Sequence, residues 1–474
     1  MHDLKKKPAL GPAGRAAVET GAGRVQFPAL SVPQGLDAVN TASVYLPLTG
    51  SAHGAPRVPS GPLSGADPHA SAHLGQAPTS AWSRAQPPAR VVPDAGRQTP
   101  AQGPRPLETH SKLPSASRRK RLRQRSYQLL KEVRAVLPDH AVANCSRFVA
   151  HGAGGVAIHG AGGVAFFRGV ATCSNVWVCP ICSPRILHGR RLELEYGLAE
   201  VRRRAWGAVL LTATLRHTPG DRLTELLRVL NGAWTRTRSG RAWQAFKRAH
   251  GVVGDVVALE PPHGINGWHP HKHAVVILDH VPDADELDRM RAEVSELWRA
   301  AVSKLGGWAS ADWGIDVRGG SAAAHYVTKL DLELTGAESK LGAGVTPFAL
   351  LAAAGRGDER AAALFREYAA AVAGLQRVRW SRGLKALLGV PEVSDLELAE
   401  RDEADDGGDS VPCLAFLNGT QWVLAIDRGG FGRLYEVACR GSPSELWRYL
   451  AGLGVERTDW NAAREAEAWG EVVT

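Results

Sequence analysis

Three groups of residues in this chain have the types and the spacing to do chemistry. The first is Trp268-His-Pro-His-Lys-His273, which heads the apolar run Ala-Val-Val-Ile-Leu278. Side chains of a strand alternate between faces, so His271 and His273 share one face while Lys272 takes the other. Two imidazoles fixed side by side can hold a divalent cation, with a third ligand from the neighbouring strand. Glu260 ends the Val-rich strand before it, and the turn cluster at 261–268 folds it back toward His271. Two histidines and a carboxylate leave coordination positions open for phosphate oxygens or water. Chance would account for a lone histidine, but not for H-x-H-x-H at the head of an apolar strand.

The second group is cysteine. Cys173, Cys179 and Cys182 read C-x5-C-x2-C, with Cys145 upstream, so four thiolates can close one tetrahedral zinc site; His188 is the alternative to Cys145. A redox C-x-x-C is the rival reading, but no thioredoxin-like βαβ pattern precedes it. Cys413 and Cys439 read as ordinary buried thiols. The third group is Tyr326 and Lys329, three apart on one face of an expected helix. A phenol beside a metal-bound phosphate can attack it and a nearby ammonium can steady the charge. Taken alone, Y-x-x-K is equally a core tyrosine with a surface lysine.

The elements that must position these residues follow from periodicity. Strands are expected at 207–215, 252–260, 269–278 and 312–318, and helices at 222–250, 282–304 and 321–330, giving the order β-α-β-β-α-β-α. That order predicts an α+β fold, a split βαβ unit whose antiparallel sheet carries helices on one face. Residues 207–335 form this core, preceded at 115–206 by a basic helix and the four-cysteine module. A helical extension spans 336–391, an acidic linker 392–410, and a small α+β appendage 411–474. The duplicated His-Gly-Ala-Gly-Gly-Val-Ala stretches at 151 and 159 read as an expanded loop without chemistry in their histidines.

Of 474 residues, the first 114 hold 17 of the 29 prolines and no sustained periodicity, which predicts a disordered arm. A net charge of +10 favours a polyanionic partner. Six cations in eight positions, Arg118, Arg119, Lys120, Arg121, Arg123 and Arg125, are the candidate DNA-phosphate contacts, with a solvated helix face as the plain alternative. No apolar run approaches the roughly 20 residues of a membrane span, and no apolar segment follows Lys5 to Lys7, so the expected compartment is the cytoplasm.

Leu210-Leu-Thr-Ala-Thr214, His269-Pro-His-Lys-His273 and Tyr326-Val-Thr-Lys329, in this order, resemble the successive motifs of HUH endonucleases, above all the rolling-circle replication initiators (Rep) of bacterial plasmids. The cysteine segment resembles theirs as well, and the likeness covers roughly residues 140 to 390. The resemblance implies that His271, His273 and Glu260 bind Mg2+ or Mn2+. It implies that Tyr326 nicks origin DNA and keeps the 5′ phosphate, leaving a 3′ hydroxyl that primes host DNA polymerase. No G-x-x-x-x-G-K-[ST] occurs, so unwinding falls to a host helicase. Two positions depart from the pattern. Lys272 stands where a hydrophobic residue is usual, with a packing cost or a DNA contact expected. Ala322 stands where some members carry a glutamate for termination, a role left to Asp331, Glu333 or the tyrosine of a second protomer in a homodimer. The alternatives are a conjugative relaxase or HUH transposase, and a non-enzymatic zinc-stabilised DNA-binding regulator.

Overall fold

The apolar strands at 252–278 form the centre of the fold. The computed structural model describes residues 116–329, 344–400 and 411–473, all within one of the chain's two units. Helix α1 (Ala116–Val136), the hairpin β1 (Val156–Ala161) and β2 (Val164–Arg168), and α2 (Cys182–Arg203) lead into β3 (Gly207–Thr214). There follow α3 (Leu223–Thr237), α4 (Gly240–Ala249), β4 (Val252–Glu260), the short β5 (His263–Gly264) and β6 (Gly267–Trp268), and β7 (His271–Leu278). Then come α5 (Ala284–Ser303), β8 (Ile315–Arg318) and α6 (Gly320–Lys329). Farther along lie α7 (Pro347–Ala354), α8 (Glu359–Ala371), β9 (Val378–Trp380), α9 (Leu384–Leu387), α10 (Asp395–Glu400) and β10 (Cys413–Leu417). Helices α11 (Gly419–Gly429), α12 (Phe431–Ala438), α13 (Pro443–Gly452) and α14 (Asp459–Val473) close the described chain.

The fold is α+β, as the sequence predicts. Its main sheet runs β8-β3-β7-β4-β9, and every neighbouring pair is antiparallel. Strands β3 and β4, joined through α3 and α4, are therefore parallel to each other and separated by β7. Helices pack on both faces, not on one. Val256, Ala258, Val275 and Ile277 meet Leu194 and Leu198 of α2, Ala323 of α6 and Leu384 of α9. Leu211, Val257, Ala274 and Val276 face the larger core that holds α3, α5 and α8. The reason is legible in β7, whose Ala-Val-Val-Ile-Leu run has no polar face to give to water.

Other differences have local causes. The helix expected over 222–250 breaks where Gly240 takes φ +85°. Asp283 caps α5 by accepting from the Glu286 amide, so the helix begins after Pro282 rather than at it. The duplicated stretch is a β-hairpin instead of a loop. Gly162 and Gly163 both adopt positive φ, the requirement of a two-residue type I′ turn. The helical extension contains a strand, β9, which satisfies the outer edge of β4. Residues 411–473 supply β10, which pairs with β1 in a second sheet of order β10-β1-β2. The acidic stretch at 392–410 contains α10, where Asp395 pairs with Arg190 of α2 at 2.6 Å. The 1–114 arm, the 401–410 part of the linker, Asp331 and Glu333 lie outside the described residues. No helix among the described residues is long and apolar enough to cross a membrane.

Candidate active site

Register decides this site. Glu260, the last residue of β4, lies directly across from His271 on β7, and His273 pairs with Ala258 one step inward. The alternation of β7 holds: His271 and His273 sit half-buried on the face that carries Val275 and Ile277, while Lys272 is buried on the other. Glu260 Oε2 is 3.2 Å from His271 Nε2 and 3.4 Å from His273 Nε2. The three ligand atoms lie within 4.8 Å of one another, a span that one cation can bridge. Burial pushes the Glu260 carboxyl up, but the hydrogen bonds and charges of the two imidazoles outweigh it and hold the group well below the usual carboxylate range.

The imidazoles are oriented from behind. His271 Nδ1 donates to the His269 carbonyl at 2.9 Å, and His273 Nδ1 contacts Thr212 Oγ1 at 3.0 Å. Both contacts aim Nε2 at Glu260, the arrangement that fixes the ligating nitrogen in metal sites. Tyr326, on α6, donates its hydroxyl to the free carboxylate oxygen of Glu260, with Oη 2.7 Å from Oε1. Its ring lies 4.6 Å from that of His273. The structure therefore brings together Glu260, His271, His273 and Tyr326, all of which the sequence singles out. Lys329 ends α6, one turn beyond Tyr326, and its side chain is outside the described set.

Lys272 is 8% exposed, and burial followed by the charges of Arg379 and Arg238 pushes its ammonium down to about 8. Sequence reasoning missed the support residues Thr212, His217 and His269. The His217 ring is hydrogen-bonded through Nδ1 to the Asn266 carbonyl at 2.8 Å, and its Nε2 meets His269 Nδ1. His269 is pushed down to about 4, first by burial and then by His271 and His217, so it stays neutral. The only local signal was the repetition of histidine at every second position; the partner at 217 lies across the fold.

The four cysteines also converge. Sγ separations are 3.4 Å for Cys179–Cys145, 3.6 Å for Cys145–Cys182 and 3.9 Å for Cys173–Cys182. Four sulfurs at a zinc bond length of about 2.3 Å from a tetrahedral centre stand about 3.8 Å apart, so the donor set fits such an ion. The Cys182 amide donates to Cys179 Sγ at 3.3 Å, and no cysteine is in a disulfide. Of the two candidates for the fourth position it is Cys145 that joins the cluster; His188 contacts Arg191 instead. Cys413 and Cys439 are buried, as expected. The basic run opens α1, where Arg121 is exposed while Arg123 and Arg125 are half-buried, Arg123 reaching the Ala165 carbonyl at 3.4 Å.

A Streptomyces lividans protein named "Protein rep" is 29% identical to this chain over 315 residues, covering 50% of this chain and 69% of that protein. The chain is thus similar to a Rep protein. The likeness rests on far more of the chain than the three motifs. A "Neomycin resistance protein" of Streptomyces cyanogenus is 30% identical over 135 residues, 23% of this chain and 31% of that protein, so the match spans under a third of that relative's length. No family model and no solved structure matches the chain.

Proposed function

We propose that this chain is a plasmid replication initiator: an HUH-type, metal-dependent endonuclease that nicks one strand of origin DNA, joins itself to the 5′ phosphate and begins rolling-circle replication. The observation that carries the reading is the convergence of Glu260, His271 and His273 on one point with Tyr326 Oη held 2.7 Å from Glu260, in a chain similar to a Rep protein. Glu260, His271 and His273 would hold Mg2+ or Mn2+, which when bound supplies Lewis-acid polarisation of a phosphate oxygen. Four thiolates, at Cys145, Cys173, Cys179 and Cys182, would hold Zn2+ as a structural ion.

The chain's own groups account for the rest. Tilted ring contact with His273 and the hydrogen bond to Glu260 fix the phenolic oxygen before substrate arrives. Tyr326 Oη forms a bond to phosphorus, the P–O3′ bond breaks, the phenolic proton is lost to water, and the 3′ oxygen takes a proton from water. The products are a 5′-phosphotyrosyl link and a 3′ hydroxyl that host polymerase extends, with unwinding by a host helicase. Lys329 would steady the phosphate charge, and the basic run Arg118, Arg119, Lys120, Arg121, Arg123 and Arg125 would track the duplex. The test is incubation with single strands from a plasmid origin and Mn2+, followed by denaturing electrophoresis. Wild type is expected to yield a covalent protein–DNA band and Tyr326→Phe none, with origin binding retained. A Tyr326→Phe protein that still becomes linked to DNA refutes the assignment.

A further inference from the structure

Beside the sheet end that carries His271, the chain leaves two tryptophans in water. Trp308 is 55% exposed and Trp313 80% exposed, in a protein that buries Trp268, Trp298 and Trp422 completely. Both are tied to the end of β3. Thr214, the cross-strand partner of His271, donates its hydroxyl to the Trp313 carbonyl at 2.8 Å, and the Arg216 amide donates to the Trp308 carbonyl at 2.9 Å. Arg216 lies two residues past Thr214, roughly 7 Å along an extended chain. Its guanidinium is exposed and sits over the Trp308 ring, 5.1 Å from the centroid, while Glu225 in the same crevice pairs with Arg228.

The Arg216–Trp308 pair forms one wall of a crevice of about 330 Å³, whose other walls include His217, Asp221 and Glu225. That volume is at the small end of ligand sites. The crevice also connects to the metal ligands, because His217 in its wall bonds to His269, whose carbonyl orients His271. An exposed indole with an exposed guanidinium on its face, beside carboxylate acceptors, matches the chemistry of an unpaired nucleobase. The π-face stacks, the ring edge finds donors and acceptors, and the backbone phosphate meets positive charge.

We propose that this crevice is a nucleobase subsite. One unpaired base of the single strand flanking the scissile phosphate stacks on the Arg216–Trp308 pair, and Trp313 extends the stacking surface along the same sheet end. The proposal rests on the nicking function above and adds where the strand is gripped, apart from the metal ligands and Tyr326.

The test uses the full chain carrying Tyr326→Phe, in EDTA so that no chemistry occurs, with mixed-sequence single strands of about 16 nucleotides and the matching duplex as probes. Trp308→Ala and Arg216→Ala are each expected to weaken single-strand binding about 5- to 150-fold, the loss of one stacked base, and to leave duplex binding unchanged. Trp308→Phe should keep most of the affinity, and thermal melts of all three should match the parent because both side chains are exposed. A Trp308→Ala protein that binds single strands as tightly as its parent overturns the subsite even when wild type forms the covalent adduct. Loss of binding in Trp308→Ala, with no adduct from wild type, supports the subsite and refutes nicking. A parent that binds no single strand overturns both.

Discussion

The two ligand clusters of this chain differ in how they are closed. At the cysteine cluster four donors surround one point, three of them buried and Cys173 half-buried, with neighbouring sulfurs 3.4 to 3.9 Å apart. At the Glu260 cluster there are three donors, on adjacent strands, with both histidines half-buried and a phenol on the carboxylate. A full tetrahedron holds segments together; three donors with an open side hold a reactant. The cysteines join the segment between α1 and β1, the loop after β2 and the start of α2, three pieces with little regular pairing of their own. The Glu–His–His group needs no such service because the ladder of β4 and β7 already fixes it.

That contrast can be broken experimentally. Its largest expected consequence concerns stability: Cys179→Ser should lose a stoichiometric zinc and unfold the region around α2, seen as loss of cooperative melting, whereas His271→Ala should melt like wild type. If both proteins melt alike, the division into structural and reactive clusters fails. Next comes metal-dependent nicking, where His271→Ala and His273→Ala should each cost about 100-fold or more, since even removing a residue that only supports a ligand costs about 10- to 100-fold. Lys272→Leu should nick normally, because Lys272 points to the opposite face. Mild EDTA should then stop nicking while elemental analysis still finds zinc, because four thiolates hold their ion far more tightly than two imidazoles and a carboxylate hold Mg2+ or Mn2+.

A smaller effect is expected from replacing Arg118, Arg119, Lys120 and Arg121 by Ser. Duplex affinity should fall alike for all sequences, and its salt dependence should flatten by about 0.9 in log-log slope for each phosphate that is no longer neutralised. An unchanged slope would make the run a solvated helix face. The smallest effect sharpens the contrast between imidazoles. Among the described residues His159 has no carboxylate partner; it is buried beside Phe166 and bonded to the Val411 carbonyl, and burial pushes it down to about 4. Folded protein therefore binds fewer protons than unfolded chain between pH 4 and about 6.5. The contribution of His159 is fully present above pH 6.5 and is lost as pH falls toward 4, by at most about 3 kcal/mol. His159→Phe should flatten the acid limb of a melting-temperature profile, and an unaltered limb would place the acid sensitivity elsewhere.

Much of the site is legible in the sequence. Strand alternation puts His271 and His273 together and Lys272 apart, because that choice depends only on the period of an extended chain. The C-x-x-C knuckle and its two distant partners are legible because four thiolates at such spacings suit one tetrahedral metal site. The hairpin at 156–168 was missed although its Gly-Gly turn is a local signal, since its third strand, β10, comes from more than 240 residues away and gives the pairing its stability. The strand β9 was missed for a related reason: three residues carry no periodicity, and what makes them a strand is the unsatisfied edge of β4.

What the sequence by itself determined, then, is whatever a few neighbouring residues decide: the face on which each side chain of β7 points, the caps and breaks of helices, the donor types at each cluster. Tertiary structure alone decided that Tyr326 Oη meets Glu260 across 66 residues, that His217 backs His269, and that Trp308 stands in water beside Arg216. Each of these is a meeting of segments far apart in the chain. Its geometry follows from how whole strands and helices pack, and no local propensity encodes that packing.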